Sequence, residues 1–291
     1  MRRTLTIVAD DYGIGPETSR AILELARERR LGGAVMIVNT PTAAQAAGLW
    51  LAARPECDLG WHPNLTLDRP VCLPEAVPSL VRPTGEFWPL AAFLARVVSG
   101  RINGADVRRE FAAQRRRFVE LIGAPPALVN SHQHVSVFPP CDAALLDVLS
   151  AAGGRPFVRR VIEPAGALCR VPGARVKRTA LSVFGGRAAR RLAARGFPGC
   201  QALAGVTDPS RVADPAFWPR WLARLGGVRA VEICCHPGHA DDTLLGRDCR
   251  GPADLRRRPD ETRLLRAPDF QAAYTRAGFT PVRPCDLLSS G

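Results

Sequence analysis

Along the chain, short runs of apolar and β-branched residues alternate with longer amphipathic stretches, and the short runs end in polar residues. "TLTIVA" (4–9) is apolar or β-branched at every position, the pattern of a strand buried on both faces. "GPETSRAILELARERRLGG" (15–33) carries Pro16 and Glu17 at its start, arginines near its end and a glycine stop, which predicts a helix. "GAVMIVN" (33–39) predicts a second strand, 41–56 a second helix, and "DLGWHPNL" (58–65) a short third strand. The order β-α-β-α-β predicts a parallel sheet with helices outside it.

The rest of the chain continues the alternation. A Pro-rich stretch at 68–89 predicts a long loop over one end, followed by helices at 89–99 and 104–122. "PALVN" (126–130) predicts a strand that runs extended into "SHQHVSVFPP". A helix (142–153), a strand (156–162), a helix (215–226) and the clear strand "VRAVEICC" (228–235) follow. Residues 236–259 read as loop, 260–278 as two short helices and 279–282 as a last strand. Residues 163–205, rich in Arg, Gly and Ala, fit no template and are read as a candidate insertion. With no linker or internal repeat, the expected fold is a single α/β domain over 1–291, a distorted (β/α) barrel. In such barrels the working residues stand at the C-terminal ends of the strands.

Composition narrows the partners. The 291 residues are 46% hydrophobic and 23% charged, ordinary for a globular protein, and no apolar run is long enough for a bilayer. "MRR" and the short apolar run behind it break at "DD" too soon for a signal peptide, so a cytoplasmic protein is expected. The net charge of +13 is spread over helix faces without interleaved aromatic residues, which argues against nucleic acid as a partner. The basic residues are almost all arginine; Lys177 is the only lysine. Nine cysteines without a C-x-x-C pair fit reduced thiols. The sequence carries no mark of oligomeric state, homo-oligomeric or otherwise.

The chemistry gathers at strand ends. The chain has five histidines, His62, His132, His134, His236 and His239, and each lies at or just past the end of a predicted strand, as do Asp10 and Asp11. A barrel would bring these ends to one rim. Each signal alone has a plainer reading: "DD" as a helix cap or turn, "HPGH" as a turn. In an extended segment His132 and His134 would project to the same side, as metal ligands often do. A carboxylate with two imidazoles suits a divalent metal with positions left open, and a second carboxylate beside it suits a general base. Consecutive strand residues face opposite ways, so the chain must turn at once for Asp10 and Asp11 to reach one site; Gly13 permits such a turn.

These residues resemble the YdjC-like carbohydrate deacetylases, the chitooligosaccharide deacetylase group. "IVADDYGIG" is similar to the N-terminal A-D-D-F/Y-G signature, "LGWHPNL" to G-x-H-x-x-L, and "VNSHQHVSVFP" to D-S-H-x-H-V-H-x-x-P. "VEICCHPG" and the later "RRPDETRLL" are similar to H-P-G/A and R-x-x-E-x-x-x-L. The resemblance runs from residue 5 to the C-terminus. It implies hydrolysis of an N-acetyl group on a sugar by a metal-bound water, with one divalent ion per chain: Mg²⁺ by resemblance, or Zn²⁺ or another transition metal. Asp11, His62 and His132 match the metal ligands and Asp10 the general base. His236 is the candidate general acid, with His134 as its rival. Arg258 and Glu261 match the late motif and are expected to orient His236 or touch substrate. Asn130 stands where the family has Asp, and Ser136 where it has the last His of its motif. A related branch associated with hopanoid biosynthesis also has Asn there, which extends the expected substrates to a lipid-linked amino sugar. Trp61 and Trp88 are the aromatic residues expected near the rim, to stack on a sugar. Two other readings compete: another barrel metal hydrolase of amidohydrolase or phosphoesterase type, favoured by a dinuclear site, and a basic nucleic-acid binder.

Overall fold

The computed structural model describes residues 3–288. Its centre is β1 (Arg3–Tyr12), which pairs in parallel with β2 (Gly33–Met36), β7 (Ala230–Cys235) and, at its start, β8 (Phe279–Pro281). Next to β2 lie β3 (Asp58–Trp61), β4 (Leu128–Val129) and β5 (Phe157–Val158); next to β7 lies β6 (Ala202–Ala204). Every ladder is parallel, as the β-α alternation requires. The two edges meet without a ladder. Val158 donates its N–H to the Pro198 carbonyl at 2.8 Å and Leu203 to Ile162 at 2.7 Å, which closes the curl as a distorted barrel.

The helices follow the predicted pattern with two informative differences. α1 (Pro16–Arg27) and α2 (Ala43–Ala53) connect the first three strands; α3 (Leu90–Val98) and α4 (Gly104–Ile122) follow the long loop. α4 begins where the Asn103 side chain accepts the Ala105 N–H at 2.8 Å, and it ends at Gly123 in the left-handed region. α5 (Cys141–Ala151) leads to β5 and α8 (Phe217–Leu222) precedes β7. The unparsed stretch holds α6 (Ala165–Arg170), the 20-residue α7 (Arg175–Ala194) and the edge strand β6. The second difference is α9 (Pro252–Arg266), which begins inside the segment expected to be loop. Its proline at the first turn is favourable, but Pro259 lies in its interior and cannot donate to the Leu255 carbonyl, so the sequence reads as a break there. α10 (Pro268–Arg276) then leads to β8. No helix among the described residues is long and apolar enough to cross a membrane.

The core is continuous under the sheet, and three of the five tryptophans, Trp61, Trp218 and Trp221, are fully buried in it. This corrects the expectation for Trp61. Its ring is closed off from the rim and meets Phe111 edge-on at 5.9 Å, so it packs the core and cannot stack on a sugar.

Candidate active site

The paired aspartates depend on a distortion of β1. Between Ala9 and Tyr12 the register with β2 slips by one residue, a bulge, and Asp11 takes φ +69°. Asp tolerates that left-handed conformation better than most residues. The strand thus turns at Asp11 itself, and both carboxylates line one cavity. Gly13, at φ +86°, completes the turn; a Cβ there would lie 2.9 Å from the Ile37 carbonyl oxygen.

Asp11 draws two histidines together. Its Oδ1 lies 2.8 Å from His132 Nδ1 and 3.3 Å from His62 Nε2. His62 Nδ1 is 2.9 Å from the Asn130 carbonyl, so Nδ1 carries a hydrogen and the Nε2 edge of the ring is turned to Asp11. The other oxygen of Asp11 accepts from Arg258 at 2.8 Å; Arg258 also donates to Asp248 at 2.9 Å. Asp248 Oδ1 lies 3.4 Å from His132 Nε2. Burial would raise the pKa of Asp11, but His132 and Arg258 hold it well below the usual carboxylate range. Burial likewise opposes the charge on His132, and the carboxylates of Asp11 and Asp248 outweigh it, pushing its pKa up to about 10.

The donor atoms of Asp11, His62 and His132 all lie within 4.8 Å of one another, and all three residues are buried. One carboxylate oxygen and two imidazole nitrogens, with His62 already turned by Asn130, form a donor set that fits a divalent ion. The expectation that His132 and His134 project together from an extended segment does not hold. Residues 132–137 form a tight 3-10 turn, with Gln133 at φ +52° and His134 at φ +57°. The turn sends His132 to Asp11, while His134 faces the cavity further along, its Nδ1 without a partner. Burial and Arg159 keep His134 neutral, its pKa well below the ordinary value.

Asp10 sits in a separate cage. Arg159 holds both of its oxygens, at 2.6 and 2.8 Å, Asn130 Nδ2 lies 3.3 Å from Oδ1, and Cys234 Sγ lies 3.4 Å from Oδ2. Burial opposes the charge, but Arg159 wins and keeps Asp10 ionised well below the usual range. Asn130 therefore donates to Asp10, a contact an aspartate at that position could not make.

His236 closes the cavity beside Asp10, with Nε2 3.8 Å from Asp10 Oδ2. Its backbone N–H donates to Glu261, and Arg257 Nη2 donates to its Nδ1 at 2.9 Å. Nδ1 is then the acceptor, so in the neutral ring Nε2 carries the hydrogen. Burial and Arg257 depress its pKa to about 4. Of the two residues expected to orient His236 or touch substrate, Glu261 accepts from Arg257 at 2.7 Å and from the His236 N–H, while Arg258 faces Asp11 and lines the cavity. His239 leaves the rim altogether: its Nε2 pairs with Glu24 of α1 at 2.9 Å. Trp88 is half-buried in the long loop under Arg96, whose guanidinium stands 4.6 Å from the ring centroid.

Sequence reasoning missed Arg159, Asp248, Arg257 and Cys234. Arg159 alone left a signal, an arginine inside the apolar run "PFVRRVI", where a buried charge demands a partner. The cavity lined by Asp10, Asp11, His132, His134, His236 and Asp248 has a volume of about 280 Å³, near the lower end of small-molecule sites.

The profile of the YdjC-like protein family matches residues 4–276. A human carbohydrate deacetylase is 29% identical over 294 residues, covering 95% of this chain and 88% of the relative. A chitooligosaccharide deacetylase from Serratia marcescens is 28% identical over 282 residues, covering 96% of this chain and 97% of the relative. Among solved structures, a presumed cellobiose-phosphate cleavage protein from Enterococcus faecalis shares the fold with a TM-score of 0.75 at 20% identity, covering 99% of each chain.

Proposed function

This chain belongs to the YdjC-like protein family, and from that premise and the rim geometry we propose that it is a metal-dependent hydrolase of N-acetylated sugars or related amides. The observation that carries the reading is the Asp11–His62–His132 donor group, with its His62 Nε2 edge turned to Asp11, opening on the cavity that also holds Asp10 and His236. The curated relatives named carbohydrate and chitooligosaccharide deacetylases support the reaction and the sugar. Asp11, His62 and His132 would hold one divalent ion, which when bound supplies a Lewis acid for the amide carbonyl and lowers the pKa of water.

The chain's own residues do the rest. Asp10, ionised at neutral pH, takes a proton from the attacking water while Arg159 keeps its carboxylate aimed at the cavity. His236 directs Nε2–H at the space beside Asp10, where it donates a hydrogen bond to the reacting group, and Asp10 passes the proton it took from water to the leaving amine. Amide and water become acetate and the protonated amine. The competing dinuclear hydrolase would need a second cation at Asp10, Cys234 and His236, where the Arg159 guanidinium already stands against the Asp10 carboxylate and its positive charge opposes another cation. A single ion is the better fit.

The test is elemental analysis of the untagged protein and of His62→Ala, followed by acetate release from a panel of N-acetylated sugars. About one ion per chain, lost in the variant, together with acetate release supports the reading. A wild type that takes up no metal after dialysis against Mg²⁺, Mn²⁺ and Zn²⁺ sinks it.

A further inference from the structure

The chain has 40 basic residues, and only Lys177 among them is a lysine. It lies in the first turn of α7 and lines the same cavity as Asp10, His132 and His236. At the cavity mouth the chain uses the compact ammonium, whose three donors can swing among acceptors, whereas a guanidinium offers a flat fork.

The turn that presents Lys177 is fastened from below. Its neighbour Arg178 is buried, donating to the carbonyls of Val171 (2.6 Å), Gly173 (2.9 Å) and Ala167 (3.0 Å) and to Glu163. The Arg178 guanidinium also lies 4.7 Å from the centroid of the Trp221 ring. The residues before the helix are tied to the cavity wall: Ala174 N–H donates to Asp208 at 2.8 Å, and Gly173, at φ +100°, packs where a Cβ would lie 2.4 Å from Thr207 Oγ1. Lys177 itself makes no hydrogen bond or salt bridge among the described residues, and it stands exposed where it lines the cavity. The cavity wall desolvates the ammonium and lowers its pKa, Arg257 adds to that, and Cys234 and Asp208 oppose. A free donor on a pinned turn, at the mouth of a substrate cavity, is a binding group awaiting its acceptor.

We propose that Lys177 is a substrate-positioning residue whose ammonium donates hydrogen bonds to the hydroxyl, ring or glycosidic oxygens of the sugar that carries the acetamido group. The proposal rests on the deacetylase reading above. It also gives the 163–205 stretch a task, since α7 carries Lys177 to the cavity mouth.

One lysine makes the test site-specific. Acylating the protein with an amine-reactive acetylating reagent modifies Lys177 and the α-amino group, and Lys177→Arg controls for the latter. On an N-acetylated sugar that the wild type hydrolyses, Lys177→Met and the acylated protein are expected to raise KM about tenfold, the scale of a lost charged hydrogen bond. Their kcat is expected to stay within about threefold, with Lys177→Arg in between. The same sugar is expected to slow acylation of Lys177, read by peptide mass spectrometry. Turnover with an unchanged KM and no protection overturns the role of Lys177 and leaves the deacetylase reading intact. Protection by an N-acetylated sugar when the wild type hydrolyses none of the panel overturns the deacetylase reading and keeps the sugar contact.

Discussion

Arg159 grips both carboxylate oxygens of Asp10, with Nη1 2.6 Å from Oδ2 and Nη2 2.8 Å from Oδ1, while its Nε lies 2.6 Å from Glu232. One guanidinium thus serves two carboxylates in a place where all three side chains are almost wholly buried. Burial raises the pKa of Glu232 against Arg159, and Asp10 adds to that rise. The two carboxylates share a cation that neither can spare.

Arg159→Met should therefore cost more than an ordinary core substitution. Removing one member of a buried charge network leaves the others uncompensated, at about 3–5 kcal/mol. The urea unfolding midpoint should fall accordingly. Arg159→Lys restores a charge without the fork, so it should recover part of the stability and less of the turnover. Equal stability in wild type and Arg159→Met would show that the network contributes nothing.

Asp10→Asn should leave metal content unchanged and cut hydrolysis by about a hundredfold or more, the usual worth of a positioned base. The ion would be held by Asp11, one residue on, whose carboxylate belongs to the other cluster. Elemental analysis beside acetate release separates the two effects. Near-wild-type turnover would remove Asp10 from the base role, and loss of the ion would make it a ligand.

The pH dependence of His236 has a defined sign. Its folded pKa lies at about 4, below the ordinary 6.5, because burial and Arg257 oppose the imidazolium. Its contribution to stability is then complete above 6.5 and is lost as pH falls from 6.5 through about 4, where the unfolded chain takes up the proton first. The neutral Nε2–H donor persists over the same range. The profile of kcat/KM should show no His236 limb near 6.5, and Arg257→Gln should shift the limb upward. A limb near 6.5 in the wild type that disappears in His236→Asn would show that His236 works as an imidazolium.

Much of this site was legible because its chemistry sits on the most regular parts of the chain. Asp10, Asp11 and His62 end strands whose apolar runs are unambiguous, and a parallel barrel brings such ends together. The partners were less visible for physical reasons. Asp248 and Arg257 come from a segment with no periodicity, and Pro259 hides the helix that carries Arg257, Arg258 and Glu261. The direction of His134 depends on two left-handed residues in succession, Gln133 and His134, which no side-chain pattern announces. The bulge at Asp11 was implied only by the need to turn both carboxylates one way; its place at Asp11 rather than Gly13 is a property of the backbone.

Trp61 offers a test that separates packing from binding. It precedes His62, so a sugar-stacking role and a core role both look natural from the sequence. The alternation of a strand decides between them: with His62 turned to Asp11, Trp61 must face the opposite way, into the core against Phe111. Trp61→Ala should destabilise the fold by about 3–5 kcal/mol through the cavity it leaves. Trp61→Phe keeps an aromatic body and should cost far less. Because the ring does not reach the rim, Trp61→Phe should leave the KM for an N-acetylated sugar unchanged while lowering the melting temperature. A raised KM with an unchanged melting temperature would put the ring in contact with substrate, and the strand would have to present it differently.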